Sequence, residues 1–228
     1  MVSRWEDPER VDAFASREAD VRLTHFIASG VVPAGARVLD LGCAGGRNAE
    51  LLAQRGFDLH ALDAAAAMVA RTRERVAAVL NRSEAERRVQ RGVMDDLSRY
   101  APFSFELVVA IGIYHCARSL QEWERAIAET VRVLASGGRL LLSQFAPGTV
   151  LEGTDPRAVE GEIHVYELGT MGRHCLIPGE ELDRHLQRFG LQSERPTEQV
   201  VRSTERGQRV TVNGLYRKKP ASRDLSAE

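Results

Sequence analysis

The chain has 228 residues, of which 43% are hydrophobic and 28% charged, with a formal net charge of −1. That length suits one sizeable domain of ordinary globular composition, and that charge excludes a global electrostatic footprint for nucleic acid or an anionic membrane. Three scattered cysteines, Cys43, Cys116 and Cys175, form no CxxC pair; they suit a reducing compartment better than a disulfide framework, and no metal centre is expected from them.

In chain order, Pro8 to Ser29 carries Val11, Phe14, Ala15, Val21, Leu23, Phe26 and Ile27, the spacing of an amphipathic helix broken near Asp20. Arg37 to Leu41 is a short apolar run, as a strand buried on both faces reads. Asn48 to Arg55 predicts a helix stopped by Gly56, Phe57 to Leu62 a second strand, and Ala65 to Asn81 a long helix rich in alanine and arginine. Val89 to Met94 predicts a third strand and Phe105 to Ile113 a fourth. Leu120 to Leu134 predicts a helix ended by Ser136-Gly137-Gly138, before a fifth strand from Arg139 to Phe145. Pro178 to Phe189 predicts the last helix. Leu191 to Thr204 and Gln208 to Tyr216 then form two extended runs around a turn, an antiparallel hairpin.

The expected fold is therefore α/β: a Rossmann-like, doubly wound, mostly parallel seven-stranded sheet with an antiparallel C-terminal hairpin and helices on both faces. Residues 1–219 are expected to form a single domain. Within it, 1–30 are a helical cap and 147–177 a weakly periodic insertion, read as a lid because long connections in compact domains are usually functional. Residues 220–228 are expected to be a disordered tail. The N-terminus "MVSRWEDPERVDAF" is charged from residue 4, unlike a signal peptide, and no uninterrupted apolar run reaches the roughly 20 residues of a membrane span. A cytoplasmic monomer or homodimer with no membrane or nucleic-acid partner is expected.

The chemistry centres on "RVLDLGCAGGRNAELLAQRGFDLHALD", from Arg37 to Asp63. A glycine-rich turn between a buried strand and a helix lets a ligand approach backbone N–H groups. The dinucleotide pattern G-x-G-x-x-G fails, because Ala44 and Arg47 stand at its later positions. The spacing Asp40-x-Gly42-x-Ala44-x-Gly46 instead resembles the D-x-G-x-G-x-G loop of class I S-adenosylmethionine-dependent methyltransferases, with alanine for the middle glycine. Asp63 ends the second strand roughly twenty residues past the loop, where an acid either accepts from ribose hydroxyls or caps the next helix. The resemblance covers Val38 to Phe145 and includes "FELVVAIGIYHC" and "ETVRVLASGGRLLLS".

The resemblance implies S-adenosyl-L-methionine as cofactor and a small-molecule acceptor. Asp40 and the loop Gly42, Cys43, Ala44 and Gly46, with Asn48, would hold the methionine end. Asp63 would hold the ribose. Ala64, Met68, Met94 and Asp95 would line the adenine pocket, Asp95 and Asp96 being otherwise turn residues. Ile111 would border the sulfonium. Transfer from a sulfonium is in-line displacement, so orientation and exclusion of water matter most, and a base is needed only for a protonated nucleophile.

His115 is the candidate base, otherwise a packing histidine. His164, Tyr166 and His174 lie in the insertion and are candidates to face an acceptor. A narrower resemblance, to tellurite-resistance methyltransferases, rests on Gly-Arg-Asn after the loop and on "VRSTERGQRVTVNGLYRKK". It implies that Arg202 belongs to the active-site region, although Val201 replaces a neighbouring histidine; the alternative is an exposed strand arginine. Trp5, Phe14 and Arg22 are expected to cover the acceptor pocket together with the insertion. A noncatalytic cofactor-binding module and an NAD-dependent oxidoreductase are the rival classes.

Overall fold

The computed structural model describes residues 5–151, 154–205 and 207–220. Two short helices, α1 (Pro8–Ala15) and α2 (Val21–Ala28), precede β1 (Arg37–Leu41), α3 (Arg47–Gln54), β2 (Asp58–Asp63) and α4 (Ala66–Val79). Asp7 and Asp20 cap α1 and α2 with their side chains, so the expected break at Asp20 is a second helix start. Then come α5 (Arg82–Arg88), β3 (Val89–Arg91), β4 (Phe105–Ile111), α6 (Leu120–Val133) and β5 (Leu134–Phe145). Helix α5 was not foreseen. It restarts where the Asn81 side chain accepts from Glu84 N–H, and its sequence, RSEAERR, has almost no apolar periodicity to reveal it.

Strand β5 begins earlier than Arg139. Its first residues, including Ser136-Gly137-Gly138, pair irregularly with β4, and the register shifts between Phe105 and Leu107. Gly137 takes a φ of +72°, a conformation glycine adopts without a Cβ penalty.

The insertion is more regular than its sequence suggests. Strand β6 (Val150–Leu151) pairs with the C-terminal hairpin, and β7 (Pro156–Ala158), β8 (Val165–Leu168) and β9 (Arg173–Cys175) form a separate three-stranded antiparallel sheet. Strands of two to four residues are too short to show a period. Helix α7 (Gly179–Arg188), β10 (Leu191–Ser193), β11 (Glu198–Thr204) and β12 (Gly207–Lys218) complete the fold. The expected tail lies almost wholly outside the described residues.

The main sheet runs β10-β12-β5-β4-β1-β2-β3, seven strands in line, with β11 and β6 paired to β12. Strands β1 to β5 are mutually parallel, and β12 is antiparallel to β5. Apolar side chains cover both faces. On one, Leu39, Val108 and Leu142 pack with Trp123 and Ile127 of α6 and with Leu182 and Leu186 of α7. On the other, Val38, Leu59, Leu107 and Val109 pack with Leu23, Leu52 and Val76. This double burial explains the unbroken apolar reading of the strands. Thr211 pairs with Phe145, the last residue of β5, so the outer half of the β11–β12 hairpin overhangs the carboxyl edge of the sheet. No described helix is long and apolar enough to cross a membrane.

Candidate active site

The loop after β1 turns sharply through Gly42, Ala44 and Gly46, with φ of +77°, +46° and +82°. Ala44 is held in the left-handed region by its neighbours: its N–H donates to Asp63 Oδ2 at 2.9 Å, and its carbonyl accepts from Thr72 Oγ1 at 2.7 Å. A Cβ on Gly46 would lie 2.9 Å from the Thr72 Cα, and one on Gly42 2.9 Å from the Ile113 side chain. The loop is therefore pinned between α4 and the segment after β4. Cys43 is buried, its N–H donating to Leu62 O at 3.0 Å, and burial pushes its thiol well above the usual range. That thiol is not a nucleophile.

Two acids flank the loop. Asp40 is 2% exposed, and its Oδ2 has no hydrogen-bond partner. Burial pushes its pKa up to about 7, with the Asp63 charge adding and Arg47 opposing. Asp63 accepts from Ala44 N–H through Oδ2 and from Ala65 N–H through Oδ1, both at 2.9 Å; burial raises its pKa against those bonds. Asn48 is buried at the start of α3, where its Oδ1 accepts from Asp20 N–H at 2.9 Å.

Beyond Asp63, Ala64 is exposed and Met68 is buried against Val11, with Trp5, Phe14 and Ala44 packed around them. Trp5 and Phe14 meet edge to face at 5.4 Å. This places them against α4, because α1 lies along that helix. Glu6 completes that contact, accepting from Ala66 and Ala67 N–H at 2.8 and 2.9 Å. No feature of the sequence signals this cap. Met94 is buried, and Asp95 pairs with Arg125 at 3.1 Å, while Asp96 accepts from Ser98 N–H as a turn residue does.

At the carboxyl end of β4, Ile111 pairs with Ser143 of β5. Arg22 reaches there from α2. Its Nε and Nη2 bind both Asp20 oxygens, and its Nη1 donates to Ser143 Oγ at 2.6 Å and to Asn213 Oδ1. In the sequence Ser143 and Asn213 read as ordinary strand residues. His115 is 4% exposed in a short 3-10 turn, Tyr114–Cys116. Its Nδ1 accepts from Phe145 N–H at 3.3 Å, and its ring lies 4.2 Å from Phe145 and stacks on His174 at 6.0 Å. Burial, with His174 adding, lowers its pKa to about 3. Of the other insertion residues, His164 sits beside Glu181 at 3.4 Å and Tyr166 is half-buried on β8. Arg202 is exposed on β11, opposite Arg209.

A protein-family profile described as a methyltransferase domain matches residues 38–138. The chain is 29% identical over 197 residues to the ubiquinone biosynthesis O-methyltransferase of Xanthomonas axonopodis pv. citri (strain 306), covering 85% of this chain and 78% of that protein. It is 32% identical over 162 residues to methyltransferase GfsG of Streptomyces halstedii, covering 69% of this chain and 54% of that protein, so it spans about half of that relative's length. Its fold matches 1,6-didemethyltoxoflavin-N1-methyltransferase of Burkholderia thailandensis, crystallised with 1,6-didemethyltoxoflavin and S-adenosylhomocysteine, with a TM-score of 0.65 at 16% identity over 91% of this chain and 81% of that one. The chain is thus similar to S-adenosylmethionine-dependent methyltransferases across its glycine loop and first five strands, as its loop spacing implies. The narrower resemblance to tellurite-resistance enzymes gains no support from these relatives. The residues present fit the cofactor: a buried carboxylate oxygen without a partner, a loop with no room for a Cβ at Gly46, and an acid at the end of β2.

Proposed function

We propose that this methyltransferase acts on an oxygen of a planar, hydroxylated small molecule. One observation carries the reading: three aromatic rings gather at the carboxyl edge of β5, Phe145 tilted against His115 and His115 stacked on His174, a cluster suited to pack an aromatic ring at its edge. The name of the Xanthomonas relative supports oxygen as the accepting atom. Asp40, the loop amides and Asn48 are assigned to the methionine end, Asp63 to the ribose, and Ala64, Met68, Met94 and Asp95 to the adenine side, with Ile111 beside the sulfur. S-adenosylmethionine, when bound, supplies a methyl group already activated on a positive sulfonium.

The protein's own residues then orient the acceptor and exclude water. His115 takes a different role from the base that its sequence position suggests. With Nδ1 accepting from Phe145 N–H, the ring proton sits on Nε2, so His115 is a neutral donor that can hold an acceptor oxygen. Arg202, on the overhanging hairpin, is assigned to the rim, where its charge steers anionic acceptors. The chain is read as a single domain working in the cytoplasm as a monomer or homodimer.

The test is a panel of hydroxylated aromatics with matched amines and thiols, incubated with methyl-labelled S-adenosylmethionine and read by mass spectrometry. Labelled methyl ethers are expected. Label only in amine or thiol products would overturn the oxygen assignment.

A further inference from the structure

The inserted sheet meets helix α7 at a cluster whose chemistry the methyl-transfer reading does not use. His164, just before β8, and Glu181 and His185 of α7 each offer one ligand atom, and these atoms all lie within 4.8 Å of one another. We propose that these three residues bind one divalent ion of the zinc class and so fasten the insertion to α7.

The geometry supports this on several counts. Glu181 and His185 stand one helical turn apart, on the same face of α7. His164 comes from the opposite side, and His164 Nε2 lies 3.4 Å from Glu181 Oε2. Two ligands at tetrahedral angles about zinc, each at roughly 2.0–2.1 Å, stand about 3.3 Å apart. The third ligand atom, from His185, lies within 4.8 Å of both. His164 holds a φ of +60°, unusual for a residue that is not glycine, and its carbonyl accepts from Leu176 N–H at 2.8 Å. That strained placement is what brings its ring to α7, at 5.5 Å from the His185 ring. His185 Nδ1 is buried with no hydrogen-bond partner.

The donor set decides the ion. Two imidazoles and one carboxylate suit zinc and its neighbours, whereas magnesium and calcium take oxygen ligands. Three protein ligands leave a fourth position for water, so binding is exchangeable. An open cavity of about 410 Å³ lined by Glu181, Arg184, His185, Gln187 and Arg188 lies on the α7 side of the cluster. The consequence reaches the aromatic rings at the end of β5, because β9 of the same small sheet carries His174, which stacks on His115.

The test uses the untagged full chain. Calorimetry with zinc chloride is expected to show one equivalent bound, and with magnesium chloride none. Cobalt chloride is expected to give the visible bands of a four-coordinate nitrogen and oxygen site, without the intense near-ultraviolet thiolate band. His164→Gln and His185→Gln are each expected to weaken zinc at least about tenfold. Zinc binding unchanged in both variants, no zinc binding by the wild type, or a thiolate band pointing to the cysteines would each overturn the proposal. The cobalt spectrum decides on the wild type alone should a variant fail to fold.

Discussion

Asp63 ties the end of β2 to the glycine loop, its Oδ2 accepting the Ala44 N–H at 2.9 Å. The same carboxylate takes the Ala65 N–H at the start of α4. It therefore fixes the two backbone segments between which a ribose would rest. Replacing it with alanine removes a charged acceptor from two amides and, on the proposed assignment, from the ribose hydroxyls. Asp63→Ala is expected to weaken S-adenosylhomocysteine by roughly 1–3 kcal/mol, read by calorimetry. An unchanged dissociation constant in a folded variant would remove Asp63 from the ribose site.

Asp40 makes stability depend on pH. Its folded-state pKa of about 7 stands above the ordinary 3.8. The native state thus holds a proton that the unfolded chain gives up, and the stability it contributes is full below the ordinary value and lost as pH rises through about 7. Between pH 5.5 and 8 the cost is about 2 kcal/mol. Asp40→Asn should abolish that slope in urea unfolding. A ligand ammonium beside Oδ2 favours the carboxylate, so S-adenosylhomocysteine affinity should rise as pH increases through 7, with proton release on binding. Equal slopes in wild type and variant would show that Asp40 is already ionised in the free protein.

Gly46 tests the loop itself. Its φ of +82° and its closeness to the Thr72 backbone leave no place for a branched side chain. Gly46→Val should bring S-adenosylhomocysteine binding below detection in calorimetry. Normal affinity in that variant would put the cofactor elsewhere.

The mostly parallel sheet and the glycine turn after β1 were legible because they depend on local signals: apolar runs buried on both faces, and glycines where φ is positive. The cluster around Arg22 was not. Arg22, Ser143 and Asn213 are far apart in sequence and meet only through the fold, at the β5–β12 pairing. Glu6 caps a helix sixty residues away, which no spacing rule reveals. His115 was visible as a histidine after β4, but its Phe145 bond and its burial, which decide its chemistry, are tertiary.

His115 gives the second pH prediction. Burial lowers its pKa from 6.5 to about 3. The sign is that of a group held neutral: the stability it contributes is full above the ordinary value and lost as pH falls through 6.5 toward 3. In the rate profile of methyl transfer, no break from this residue is expected between about pH 6 and 8. His115→Phe keeps an aromatic ring there but removes the donor, and kcat should fall about 10- to 100-fold, the loss of one buried hydrogen bond, with the profile otherwise unchanged. A wild-type break near 6.5 that the variant lacks would restore the base role.

The two added segments should respond to different ligands. Helix α1 sits on the glycine loop so closely that a Cβ on Gly45 would lie 2.5 Å from Ala15 N. Trp5 and Phe14 cover Met68, and Glu6 caps α4 beside Asp63. Anything that orders the loop must therefore act on α1 as well. The insertion reaches the site through His174, whose ring stacks on His115. Hydrogen exchange should show residues 8–15 and 42–46 gaining protection with S-adenosylhomocysteine alone, while 156–175 gain it only when an acceptor is also present. Glu6→Gln should weaken the first response and leave the second intact, since it touches only the α4 cap. Protection of the insertion by S-adenosylhomocysteine alone would mean that the two segments close as one lid, and protection of neither would make both of them fixed parts of the surface.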